Sequence, residues 1–135
     1  MKKCHLFAMA IAIGAGPWFG LAVSGLDHAA VAAEPPTSFK EDVFPVFQGR
    51  CVSCHSPSGE GFQASGLDLT SYKGVLAGTK FGPMVIPGDP DSSNLMRLLD
   101  WRVAPSLRMP HSNKQLSVCD RNAIRSWIRQ GAKDN

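Results

Sequence analysis

Phe39, Val43 and Phe47 recur every fourth residue in SFKEDVFPVFQGRC, with Phe44 and Val46 beside them. That period puts the apolar side chains on one face of a helix. Ser38 and Glu41 form a capping-box pair at its start. Pro45, inside the pattern, predicts a kink or a break into two pieces. SPSGEGFQASG is loop by composition. In GLDLTSYKGVLAG, Leu67 and Leu69 alternate ahead of a short helical turn around Tyr72 to Leu76. TKFGPMVIPGDPDSS is a second loop, punctuated by Pro83, Pro87 and Pro90. SSNLMRLLDW reads as a helix capped by Ser92 or Ser93, with Leu95, Leu98 and Leu99 inward. Met96 falls in the same apolar set and reads as core. RVAPSLRMPHSNKQ is loop again. The last helix lies in LSVCDRNAIRSWIRQGAKDN, with Ser117 and Asp120 as its cap pair and Gly131 as its stop. Ile124, Trp127 and Ile128 form its buried face, and Arg121, Arg125 and Arg129 its solvated one. Phe47 and Trp127 are expected to meet where the first and last helices cross. The pattern predicts an all-α fold of three to four helices joined by long loops.

The first 33 residues follow a different rule. Two lysines in MKKCHLF precede the apolar, small-residue stretch AMAIAIGAGPWFGLAVSG, and AAVAAEPP places Val31 and Ala33 before a plausible cut. A basic start, an apolar middle and a small-residue cleavage site are the marks of an export signal. Glycines and Pro17 interrupt the apolar run, which is short for a bilayer span of about 20 residues. The expected division is therefore a signal peptide over 1–33 and one domain over 34–135, with a periplasmic location, or a membrane anchor if the signal is retained. The remaining 102 residues are close to the size at which a hydrophobic core is only just sufficient. They carry 12 basic and 10 acidic side chains with no run of either sign, which argues against a nucleic-acid partner.

Cysteine usage narrows the chemistry. Three cysteines follow the signal segment: Cys51, Cys54 and Cys119. An odd number does not fit a simple disulfide framework in an exported chain. Cys119 is then expected to be a small buried apolar residue. Cys51 and Cys54 stand in RCVSCHS, three apart, with His55 directly after. A structural zinc site needs four ligands, and the domain offers no second pair at ligand spacing. A thioredoxin-like dithiol needs a strand–helix alternation that this sequence lacks. Haem attachment fits: two thiols bond the porphyrin's two vinyl groups, and the next histidine supplies an axial imidazole. Export agrees with this, because c-type haem is attached outside the cytoplasm.

Taken in order, FPVFQGRCVSCHS, GLDLTSYKGVLAG, FGPMVIPGDPDSSNLMRLL, RMPH and IRSWIRQGA resemble the class I monohaem c-type cytochromes, and most closely the planctomycete-type cytochrome c domain. The resemblance spans roughly residues 39–132. It implies a small cytochrome c-like domain around one covalent haem c, with Cys51 and Cys54 as attachment points and His55 as proximal iron ligand. RMPH departs from the family's Met-Pro-Pro, with His111 at the second proline, and Cys119 is not required by the pattern. The distal iron ligand is expected to be Met109. It sits on a loop that Pro110 stiffens, and the resemblance points to the same residue. His111, Met84 or an open site are the alternatives. The resemblance also makes Pro83 an acceptor for the free His55 ring N–H. Arg97, Trp101 and Arg102 are candidate donors to the haem propionates.

No nucleophile–base pair or carboxylate pair stands out, so the chain is not expected to be an enzyme. The expected role is a periplasmic one-electron carrier between a redox-protein donor and acceptor, with no small-molecule substrate. The alternatives are a cytochrome subunit of a periplasmic dehydrogenase or sulfur-oxidising complex, docked to that enzyme or a membrane, and a haem sensor or enzyme with an open distal site.

Overall fold

The computed structural model describes residues 34–111 and 114–135. Residues 35–135 form one compact unit, and the expected signal peptide lies outside the described residues. Among the described residues there are five α-helices and no strand, which agrees with an all-α fold. The helices are α1 (Phe44–Arg50), α2 (Glu60–Ser65), α3 (Tyr72–Ala77), α4 (Asn94–Leu99) and α5 (Val118–Arg129). The fifth helix, one more than the sequence pattern predicts, is α2. It forms inside the glycine-rich stretch read as loop. Glu60, Gln63 and Ala64 are good helix formers, and Gly66 ends the helix in the left-handed region at φ 77°.

The break at Pro45 occurs. Residues Phe39–Val43 form a π-helical turn, and Pro45 sits in the first turn of α1. Pro45 has no N–H, and its ring crowds the carbonyl four residues back. The backbone widens there: the Phe44 N–H reaches the Phe39 carbonyl and the Val43 N–H reaches that of Ser38 at 3.3 Å. Ser38 caps the turn by accepting the Glu41 N–H at 3.1 Å. The reciprocal bond differs from the expected pair, because the Ser38 N–H goes to Asp42 Oδ2 at 2.9 Å.

Phe39 meets Trp127, with ring centroids 5.2 Å apart, and Phe47 lies in the same core cluster. Phe39 also touches Tyr72 at 5.3 Å and Phe47 at 6.4 Å, so three parts of the chain share one aromatic cluster. Trp127, Phe47, Ile124, Ile128 and Val43 are fully buried around it. Each such side chain stabilises the fold by about 1.5–3 kcal/mol. The Trp127 Nε1–H is satisfied by the Lys133 carbonyl at 2.8 Å, and the Tyr72 hydroxyl donates to that of Ala132 at 2.9 Å.

Helix α5 packs on both the N-terminal turn and α4. Its Ser117 cap accepts the Asp120 N–H at 3.0 Å. Arg129 is exposed as expected, but Arg121 and Arg125 are half-buried. They meet Asp100 at the end of α4, Arg125 at 2.9 Å and Arg121 at 3.5 Å. Ser93 does not cap α4 with its side chain. Its hydroxyl is fully buried, donates to the Asp89 carbonyl at 2.7 Å and accepts the Ile86 N–H at 2.8 Å, pinning the preceding loop.

The last turns of α4 and α5 close in the same way. In α5, Gly131 takes φ 99°, with its N–H on Ile128 and that of Ala132 on Trp127. In α4 the equivalent residue is Trp101 at φ 60°, with its N–H on Leu98 and that of Arg102 on Arg97. An aromatic residue there costs about 1–3 kcal/mol relative to relaxed backbone.

Candidate haem-attachment site

Helix α1 delivers the signature. Its ladder runs one residue further, with the Cys51 N–H on the Phe47 carbonyl at 2.8 Å. The chain then folds into a turn: the N–H groups of Cys54 and His55 both reach the Cys51 carbonyl, at 3.1 and 2.9 Å. Both thiols are free. Cys51 is half-buried, and burial pushes its thiol up to about 11, with Cys54 adding to the rise and Arg50 opposing it. Cys54 is exposed.

The His55 imidazole is held below its ordinary protonation range, first by burial and then by His111. The Leu67 carbonyl acts in the opposite direction. A neutral ring with a free lone pair is the form that ligates metals. The Nδ1 atom is buried and has no hydrogen bond of good geometry, although Leu67 is the carbonyl that acts on this ring. The carbonyl that acts on the ring is thus that of Leu67 and not the expected Pro83. The chain folds back between them, with the Leu69 N–H on the His55 carbonyl at 2.8 Å.

Helix α2 lies against this turn through two glycines. The Phe62 N–H donates to the Cys54 carbonyl at 3.1 Å. A Cβ at Gly59 would run into that same carbonyl. A Cβ at Gly61 would stand 2.8 Å from His55 Cε1 and 2.9 Å from Nε2. The missing side chain of Gly61 thus leaves clear the imidazole edge that carries Nε2. A charge-neutral imidazole with that edge cleared, next to two free thiols at attachment spacing, is a donor set that fits covalent haem.

Two observations bring the later loop to the signature. The Arg50 guanidinium donates to the Lys114 carbonyl at 3.3 Å, and the His111 charge acts on His55. Met109 is half-buried and packs against the core, while His111 is exposed. Met96 and Met84 are both core residues, Met96 completely buried.

The candidate propionate donors have other partners. Trp101 Nε1 donates to the Met109 carbonyl at 2.9 Å. Arg102 lies 3.7 Å from Asp100 and 3.8 Å from Asp91, and Arg97 donates to Asn94 Oδ1 at 3.4 Å. Sequence reasoning passed over Arg108. Its Nε is buried without a hydrogen-bond partner, and its guanidinium lies 5.3 Å from the centre of the Trp101 ring. Its place directly before Met109 was the available signal. Cys119 is half-buried, where a buried apolar residue was expected.

No curated protein and no solved structure matches the chain. The model of the Planctomycete cytochrome C family matches residues 51–112, just under half of the chain. The matched segment begins at the first thiol of the signature and takes in α2, α3, α4 and the Met109 loop. Cytochromes of the c type bind haem covalently and transfer electrons, and Cys51 and Cys54 stand in their attachment signature. Over residues 51–112 the chain is thus similar to the planctomycete cytochrome c family, consistent with a cytochrome c-type domain.

Proposed function

We propose that the protein is a periplasmic monohaem c-type cytochrome that carries single electrons between a redox-protein donor and acceptor. Bound haem supplies the one-electron iron couple, and the protein supplies attachment, axial ligands and surroundings. Cys51 and Cys54 form the two thioether links. His55 presents Nε2 as proximal ligand and Met109 its sulfur as distal ligand. Arg108, whose buried Nε lacks a protein partner, is the donor available to a haem carboxylate. The observation that carries the reading is the pairing of two free thiols with a neutral, cleared His55, to which the Met109-Pro110-His111 segment is electrostatically close.

Periplasmic location rests on the basic, apolar and small-residue sequence of residues 1–33. Among the described residues no helix is long and apolar enough to cross a membrane. Phe81, Leu107 and Val118 are large apolar side chains left more than half exposed. Such residues support docking to protein partners, and they favour as second reading a cytochrome subunit of a larger periplasmic enzyme. Co-purification with a flavin- or metal-containing protein would select that reading.

The test is the absorption spectrum of protein exported from a host that attaches haem. The expected result is sharp low-spin bands on reduction, a methionine–iron charge-transfer band on oxidation, and indifference to carbon monoxide. A high-spin spectrum that shifts with carbon monoxide would replace the carrier with a sensor or enzyme whose iron has an open position.

A further inference from the structure

Trp101 occupies a backbone conformation that glycine fills at the matching position of α5. A bulky side chain held at φ 60° is an outlier that persists only where its surroundings require it. Two side-chain contacts of Trp101 go to one loop. Its Nε1–H donates to the Met109 carbonyl at 2.9 Å, and its ring face receives the Arg108 guanidinium at 5.3 Å. The Met109 N–H is taken by the Leu98 carbonyl at 3.3 Å, the same carbonyl that accepts the Trp101 N–H at 3.2 Å. Both backbone polar groups of Met109 are therefore fixed to the last turn of α4, one of them through the strained tryptophan.

We propose that Trp101 is a positioning residue, a latch that holds the Met109 backbone so that its sulfur stays at the haem iron. The inference rests on the reading of Met109 as distal ligand. Left-handed backbone at residue 101 closes α4 and turns the indole onto residues 108–109. Glycine would close the helix equally well but could not reach the loop. Local strain is thereby exchanged for an anchored ligand loop. A flexible loop must be ordered each time its sulfur binds, whereas an anchored one resists displacement.

The experiment is titration of the oxidised, haem-loaded protein with imidazole, following the methionine–iron charge-transfer band, in three forms. Trp101→Phe keeps the ring and the strain but deletes the N–H. Its expected effect is displacement of Met109 at about fivefold lower imidazole, the value of one neutral hydrogen bond. Trp101→Gly deletes the whole latch and relieves the strain. It should unfold at the same or higher denaturant than the parent, yet lose methionine ligation at more than about tenfold lower imidazole. That opposition between fold and ligand is what a merely structural tryptophan would not produce. Unchanged imidazole affinity in both variants, with the charge-transfer band intact in the parent, would overturn the latch and leave Met109 as ligand. A parent protein without the band would overturn both the latch and the His/Met reading.

Discussion

At the scale of single residues, the signature's chemistry is set by how differently its three members meet solvent. Burial raises the Cys51 thiol to about 11, so the reactive thiolate is scarce near neutrality. In protein prepared without attached haem, iodoacetamide at pH 8 should label exposed Cys54 at least about tenfold faster than Cys51. The Cys51 rate should climb about tenfold per pH unit until near its raised value. Peptide mass spectrometry reads both rates, and equal labelling would show that Cys51 is not buried as found. Gly61 offers a second check. Its missing Cβ keeps the His55 Nε2 edge clear by less than a methyl's breadth. Gly61→Ala should therefore convert part of the low-spin spectrum to high-spin, because either His55 or α2 must move. The distal ligand is tested by Met109→His, which should keep six-coordination and lower the midpoint potential markedly, within a protein-tunable span of about 0.8 V. An unchanged potential would exclude Met109 from the iron.

At the scale of elements, the joints are aromatic on one side and ionic on the other. Phe39, Tyr72 and Trp127 come from the first turn, α3 and α5, so Trp127→Ala should empty a site shared by three segments. The expected loss is about 3–5 kcal/mol in chemical denaturation, with no shift in the haem spectrum while the protein stays folded. The α4–α5 joint instead gathers Arg102, Arg121 and Arg125 around Asp100. Asp100→Ala would leave Arg121 and Arg125 facing each other, partly buried and without this carboxylate. A loss of about 2–3 kcal/mol is expected, below the figure for a fully buried pair because these side chains retain some solvent contact. Salt should narrow the gap between variant and parent. Loss of the Asp100 carboxylate would also loosen the end of α4 that carries Trp101.

At the scale of the whole molecule, a domain of about 100 residues with short helices has little stability to spare. Among the described residues only α5 exceeds seven residues, and isolated helices this short are marginal in water. The fold is closed instead by long-range ties. The Phe39 N–H donates to Asn135 Oδ1 at 2.9 Å, the Lys40 N–H to the Asn135 carbonyl at 3.0 Å, and the Thr37 N–H to Gln130 Oε1 at 2.8 Å. A covalently held cofactor would add what the protein core alone does not. The double variant Cys51→Ser/Cys54→Ser, produced under haem-attaching conditions, should carry no covalent haem on a denaturing gel. It should unfold with about 4 kcal/mol less stability than the loaded parent, the scale expected of a tightly held ligand.

What the sequence determined by itself are the features that depend on neighbours along the chain. The four-residue apolar period, the serine caps at 38 and 117, the break at Pro45 and the stop at Gly131 are local, and so is the five-residue signature with its chemistry. The resemblance of its ordered segments extended that reading to the family. Tertiary structure alone decided whatever depends on distant partners. Helix α2 exists because Gly59 and Gly61 let its backbone lie against Cys54 and His55, a gain that composition scores as a loss. Arg121 and Arg125 turn inward because Asp100, more than twenty residues earlier, stands opposite them. The carbonyl that acts on His55 is that of Leu67 and not Pro83 because the chain doubles back at Leu69. Trp101 holds a glycine's conformation because the carbonyl it reaches belongs to Met109, and no pattern of local preference records which carbonyl a side chain will meet.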